Sequence, residues 1–115
     1  MALASIRPPA VAGQFYPGDE RVLRTQLAEM LSTAVALEAA PTPKAIIVPH
    51  AGYIYSGPVA ASAYALLPPL RQTIRRVVML GPTHRVAIRG LALPAAQVFA
   101  TPLGEVPVSR ADWMA

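Results

Sequence analysis

Two short apolar segments, each leading to a histidine, constrain this chain more than any other feature of its sequence. They lie at about 44–48 and 76–80 and lead to His50 and His84, the only two histidines present. Short runs of apolar, mostly β-branched residues are typical of buried strands. Pro49 cannot donate to a β-ladder, so it ends the first run directly before its histidine. We therefore predict a buried strand at each segment.

The stretch between these segments predicts a helix. Ser56-Gly57-Pro58 indicates a helix start, since a proline at the first helical position loses no hydrogen bond. With that helix lying within 57–67, the order strand, helix, strand makes a βαβ unit with parallel strands and a right-handed crossover. Parallel strands place their carboxyl ends at one edge of the sheet. We therefore expect His50 and His84 to face the same crevice.

The segment before this unit predicts an extended lead-in and one helix. Residues 6–18 are punctuated by proline and glycine, which favours an irregular chain. Phe15 and Tyr16 in it are either an aromatic lid or a plug against the core, and we favour the plug. Asp19 is the predicted N-cap of an amphipathic helix at about 20–37.

After Gly90 the pattern changes to short strands separated by proline and glycine. A tight strand-to-strand reversal is expected over residues 101–106. Ser109 and Asp112 have capping-box spacing, which predicts the opening of a further helix. The predicted strands are at 91–93, 97–100 and 106–108.

Composition limits the classes of protein to consider. The chain has 115 residues, of which 54% are hydrophobic, and its mean hydropathy is +0.42. These values are high for a finished small domain, so we expect an exposed apolar face and further chain that covers it. The net charge of +4 comes from scattered arginines, which do not form the dense basic face of a nucleic-acid-binding protein. No apolar run is long enough for a membrane helix, and we expect a cytoplasmic protein.

Four motifs, in this order, resemble the Memo family, also called AmmeMemoRadiSam system protein B. They cover nearly the whole chain. The matching pieces are Arg7-Pro8-Pro9-Ala10-Val11-Ala12-Gly13-Gln14-Phe15-Tyr16-Pro17, Pro49-His50-Ala51-Gly52-Tyr53-Ile54-Tyr55-Ser56-Gly57, Leu80-Gly81-Pro82-Thr83-His84 and Thr101-Pro102-Leu103-Gly104-Glu105-Val106.

The resemblance implies an α/β fold with a mostly parallel sheet and flanking helices, similar to class III extradiol dioxygenases. Those enzymes hold non-haem iron with two histidines and a carboxylate. The family's histidine motifs fall on His50 and His84, and the bound metal would be iron(II) or copper. Memo-like proteins complete the pocket with residues from later chain, so residues 1–115 would be the N-terminal portion of one such domain. The family name also implies AMME-type and radical-SAM protein partners.

Two functions are compatible with such a crevice. Two neutral imidazoles can bind a first-row metal, and two histidines with one carboxylate suit iron(II) and O₂ chemistry. Tyr53 and Tyr55 would then assist proton transfer, although each could instead pack with its hydroxyl at the rim, and each histidine could be an ordinary turn residue. The first hypothesis is a metal-dependent, dioxygenase-like oxidoreductase acting on a small organic substrate. The second is a module that binds a small-molecule or peptide ligand without turnover, and fold analogy does not choose between them.

Overall fold

The computed structural model describes residues 4–34 and 41–109. It is an α/β structure in which two helices pack together and three short strands form one sheet. A single turn of 3₁₀-helix follows the second α-helix. The elements, in chain order, are β1 (Ile6–Arg7), α1 (Glu20–Thr33), α2 (Tyr53–Tyr64), the 3₁₀ turn (Pro68–Leu70), β2 (Val98–Thr101) and β3 (Gly104–Pro107).

Helix α1 begins where the sequence predicts. The Asp19 carboxylate accepts a hydrogen bond of 2.9 Å from the backbone N–H of Val22, so the predicted N-cap is confirmed. The helix ends at Thr33, earlier than predicted, because Ala34 has an extended backbone with ψ of 133°. The remainder of the predicted span lies outside the described residues.

Helix α2 begins at Tyr53, four residues before the predicted start. Gly52 is its N-cap but offers no side chain to cap it. The Tyr53 N–H instead donates to the carbonyl oxygen of Phe15 at 2.7 Å. This distant acceptor satisfies one of the amide groups left free at a helix start, and local sequence does not reveal it. Pro58 therefore lies inside the helix, where it cannot donate to the carbonyl of Ile54.

Helices α1 and α2 pack against each other. Leu23 of α1 and Ala61 of α2 are the buried hydrophobic residues of the described chain. Gly57 is also buried, and a Cβ atom built on it would lie only 2.6 Å from the Sδ atom of Met30. The absent side chain at position 57 therefore allows α1 and α2 to approach closely.

The sheet is mixed, with the strand order β1-β2-β3. Strand β1 runs parallel to β2, with Ile6 opposite Val98, while β2 and β3 form an antiparallel hairpin. The hairpin confirms the predicted reversal over 101–106. Thr101 stabilises the turn, because its hydroxyl donates to the Gly104 carbonyl at 2.8 Å and accepts from the Leu103 N–H at 3.1 Å.

The predicted strands at 44–48, 76–80 and 91–93 are wrong, because the structure assigns no strand to these segments. The predicted parallel pair and its βαβ unit are therefore not formed here. Ile47 is 98% exposed, and Val77 and Met79 are each 79% exposed. An apolar, β-branched segment favours an extended backbone, but a strand also needs a neighbouring strand to bond with. None of the described residues supplies that neighbour.

Two further expectations concern the predicted final helix and membrane-spanning helices. Asp112, and with it the predicted final helix, lies outside the described residues. Among the residues that are described, no helix has both the length and the apolar character needed to cross a bilayer.

Candidate functional site

His50 and His84 lie side by side although the predicted strands before them are absent. Their ring centroids are 5.3 Å apart and their planes are inclined by 50°. The expected proximity of the two histidines is therefore confirmed. Both residues are exposed, so neither is a buried core histidine and both rings can be reached from solvent.

The separation of the two ring centroids is one that a shared metal ion would permit, and it is also an ordinary separation for two rings in contact. Imidazole nitrogens bind zinc-like ions at about 2.0–2.1 Å, which places the centroids of two rings on one tetrahedral ion about 5 Å apart. The observed 5.3 Å agrees with this value. Two neutral imidazoles form a donor set that suits copper, iron and zinc. The pair is therefore compatible with a first-row transition metal.

The described residues place two imidazoles together without a third side chain that could complete a metal site. Among residues 4–34 and 41–109, no group of three histidine, aspartate or glutamate side chains is arranged to hold an ion. The sequence explains part of this result, because no acidic residue occurs between Glu38 and Glu105. The same stretch carries six basic residues and therefore surrounds the histidines in sequence with positive charge alone. These are Lys44, Arg71, Arg75, Arg76, Arg85 and Arg89.

The start of α2 fixes the loop that carries His50. Gly52 is buried, and its Cβ position would face the backbone of Phe15 at 3.4–3.5 Å. The Tyr53 N–H is bonded to the same Phe15 backbone. Phe15 itself is 48% exposed, so it is not a plug against the core and acts here through its carbonyl group. Tyr16, the other residue of the predicted plug, is half-buried and its ring packs against Tyr53.

Ser56 is a site residue whose role the sequence did not reveal. It is the buried polar side chain of the described residues, with 6% of its surface exposed. Its hydroxyl donates to the carbonyl oxygen of Ala51 at 2.7 Å. The sequence feature that could have indicated this role is the position of Ser56, six residues after His50. The structure places it on the first turn of α2, which starts earlier than predicted.

Tyr53 and Tyr55 occupy different environments. The Tyr53 ring lies 5.7 Å from the Tyr16 ring. Burial raises the pKa of the Tyr53 phenol above its ordinary value of 10.0, and the Tyr16 and Tyr64 phenols raise it further. Tyr53 is therefore protonated at neutral pH and can donate a hydrogen bond or a proton. Tyr55 is 81% exposed, as expected two residues further round a helix. A catalytic role for either residue remains a prediction.

A concave surface elsewhere on the described chain does not contain the histidines. Its volume is about 460 Å³, and it lies beside β1 and the segment that enters β2, where Arg7 stacks over the Phe99 ring at 5.2 Å. Since both histidines are exposed, the His50–His84 pair is an open surface site. The residues lining the concave surface are Ser5, Ile6, Arg7, Pro94, Ala95, Ala96 and Phe99.

Comparison with known proteins agrees with the motif pattern. The family model described as Memo-like protein matches residues 7–112. Protein MEMO1 of Danio rerio is 40% identical over 104 residues, covering 90% of this chain and 34% of the relative. A MEMO1 family protein of Aquifex aeolicus is 39% identical over 103 residues, covering 90% and 36%. The Protein memo-1 homolog of Caenorhabditis elegans is 38% identical over 104 residues, covering 90% and 29%.

The chain thus spans about a third of the length of the curated relatives that it matches. The family match extends over the lead-in, both histidine segments and the hairpin. From this match, we conclude that the chain belongs to the Memo-like protein family.

Proposed function

We propose that His50 and His84 bind one redox-active first-row metal ion, iron(II) or copper, and that the protein is a metal-dependent, dioxygenase-like oxidoreductase acting on a small organic substrate. The observation that carries the proposal is the 5.3 Å separation of the two exposed imidazole rings. The class III extradiol dioxygenase-like fold belongs to the same proposal.

Each residue has a defined part in this proposal. The two imidazoles hold the ion, which supplies redox and Lewis-acid chemistry when bound. Tyr53 keeps its proton at neutral pH because its pKa is raised, so it would assist proton transfer as a hydrogen-bond donor and weak acid, not as a base. Tyr55 is exposed and can contact a substrate at the rim. The net charge of +4 would favour the approach of a substrate that carries negative charge.

In this proposal, groups other than the two histidines complete the ligand set of the metal ion. Water, substrate or a side chain that the described residues do not include would fill the remaining positions. Open positions of this kind are what a metal needs in order to bind a reactant. The identity of the further ligand decides between iron, which favours two histidines with a carboxylate, and copper, which does not require one.

The test is a metal titration in which the two imidazoles are removed in turn. Wild type, His50→Ala, His84→Ala and the double variant are titrated with copper(II), and with iron(II) under anaerobic conditions, using calorimetry. Gln72→Ala, an exposed polar change away from both histidines in sequence, serves as the matched control. We expect each single variant to bind more weakly, the double variant to lose the site and the control to match wild type. Unchanged affinity in the double variant would refute the proposal.

A second function rests on the lack of a third ligand among the described residues. An open site with two ligands is also what a binding module would present to a small-molecule or peptide ligand that brings its own donor atom. Metal-dependent O₂ consumption separates the two functions. The enzyme proposal requires that the protein consumes O₂ faster than free metal does and that His50→Ala loses this excess. The binding module requires that a small-molecule or peptide ligand binds without such consumption.

A further inference from the structure

The buried hydroxyl of Ser56 is placed to control the position of His50. A serine within a helix normally bonds to a carbonyl three or four residues earlier, which belongs to the same helix. The shorter bond of Ser56, 2.7 Å, reaches five residues back to the carbonyl of Ala51. Its distance to the carbonyl of Gly52, the N-cap, is 3.4 Å. The hydroxyl therefore ties the residue next to His50 to the first turn of α2.

That first turn is itself fixed by contacts with the rest of the molecule. The Tyr53 N–H donates to the Phe15 carbonyl at 2.7 Å, and the Tyr53 ring packs against Tyr16. On the adjacent turn, Gly57 lies against the side chain of Met30. A hydrogen bond to this turn therefore attaches the His50 loop to a fixed support, and not to a freely moving helix end.

The loop on the other side of His50 has little support of its own. Residues 44–49 form no helix or strand, and Ile47 is 98% exposed. Pro49 restricts its own φ angle but donates no hydrogen bond. On the C-terminal side of His50, the Ala51 carbonyl accepts its hydrogen bond from the Ser56 hydroxyl. The Gly52 carbonyl, one residue further on, accepts from the backbone N–H groups of Tyr55 and Ser56.

We propose that Ser56 is a positioning residue that holds His50 beside His84. It acts through the Ala51 carbonyl, and it does not touch the metal. The expected effect of Ser56 on metal binding rests on the proposed function. Its expected effect on the distance between the two imidazole rings does not. A purely structural serine would contribute to stability without changing how the imidazoles face each other.

The test follows the two imidazoles by NMR in the metal-free protein. The chain has only two histidines, so the ring protons give two readily assigned sets of signals. Ser56→Ala removes the hydroxyl, and Ser56→Thr restores one. Ser62→Ala is the matched control, because the exposed Ser62 hydroxyl donates to Pro58 at 3.2 Å on the same helix.

We expect a nuclear Overhauser effect between the His50 and His84 rings in wild type, Ser56→Thr and Ser62→Ala, and its loss in Ser56→Ala. The Tyr16–Tyr53 contact should persist in all four proteins and serves as the measure of correct folding. If Ser56→Ala does not fold, Ser56→Cys keeps the side-chain volume with a weaker donor, and the inter-ring effect should weaken. An inter-ring effect that is undiminished in folded Ser56→Ala, or in Ser56→Cys where Ser56→Ala does not fold, would overturn the proposal.

A copper(II) titration of the same proteins separates this proposal from the proposed function. Ser56→Ala should bind roughly 10–100-fold more weakly than wild type, the range typical of residues that support metal ligands, and Ser62→Ala should bind equally well. If wild type binds no copper or iron, the proposed function fails, but the inter-ring contact still decides the role of Ser56. If Ser56→Ala binds metal as tightly as wild type does, the positioning role is refuted while the metal site stands.

Discussion

Substitution of Gly57 by alanine tests the helix–helix contact that supports the candidate site. A Cβ at this position would lie 2.6 Å from the Sδ atom and 3.5 Å from the Cε atom of Met30. Overpacking of this kind costs about 1–3 kcal/mol. An interior alanine gains at most about 0.8–1.0 kcal/mol over glycine in a helix, and less before Pro58, whose ring crowds the Cβ of the preceding residue. Because the overlap involves the flexible end of a methionine, we expect net destabilisation of roughly 0–2 kcal/mol.

The same substitution should cost less when Met30 is truncated. In a Met30→Ala background the overlapping atoms are absent, so the overpacking cost of about 1–3 kcal/mol is removed, while helix propensity and the crowding of a Cβ against Pro58 are the same in both backgrounds. The difference between the two backgrounds is the coupling energy of the pair, which we expect to be about 1–3 kcal/mol. Met30→Ala by itself is destabilising, and the cycle removes that contribution.

The four proteins of this cycle are compared by urea unfolding, followed by far-ultraviolet circular dichroism. Gly81→Ala is the control, since no atom lies within 4 Å of its Cβ position and its φ is not positive. This control should shift the free energy of unfolding little in either background. An equal effect of Gly57→Ala in both backgrounds would refute the close approach of α1 and α2.

Two further predictions concern the N-cap of α1 and the Tyr53 phenol. Asp19→Ala should lower the free energy of unfolding by about 1 kcal/mol, because the Val22 N–H loses its acceptor. Arg24→Ala should cost less than about 0.5 kcal/mol, because its ion pair with Glu20 is well exposed. Urea unfolding compares the two variants, and a larger loss for Arg24→Ala would contradict this ranking. Burial and nearby phenols raise the pKa of Tyr53 above 10.0, so its contribution to stability should be fully present below about pH 10 and be lost as the pH rises through the higher pKa of the folded protein. An ultraviolet absorbance titration of tyrosinate should show that Tyr53→Phe removes the component that ionises at the highest pH, and loss of a lower component instead would show that the assignment is incorrect.

The histidine pair shows how a correct expectation can rest on an incorrect element. The sequence predicts that His50 and His84 meet because two parallel strands end beside each other, yet the structure brings the rings to 5.3 Å without forming those strands. Apolar, β-branched residues report a preference for extended backbone. They do not report whether a neighbouring strand is present to accept the hydrogen bonds.

Local chemistry accounts for the parts of the fold that the sequence determined by itself. The Asp19 cap needs only the N–H of a residue three positions later. The reversal at 101–106 needs only the Thr101 hydroxyl and the adjacent strands. Interactions over such short separations can be recognised directly from residue type and spacing. The four ordered motifs likewise carried the family resemblance that the comparison with known proteins confirmed.

Tertiary structure decided the features that bear on the site. Helix α2 starts at Tyr53 because its N–H finds the carbonyl of Phe15, an acceptor distant in sequence. That earlier start places Ser56 in the first helical turn, from which its buried hydroxyl reaches Ala51. Every residue has a backbone carbonyl group, so residue types do not show which carbonyl will accept a long-range hydrogen bond. Residue types alone therefore identified the two histidines, while long-range backbone contacts determined the support that holds one of them in place.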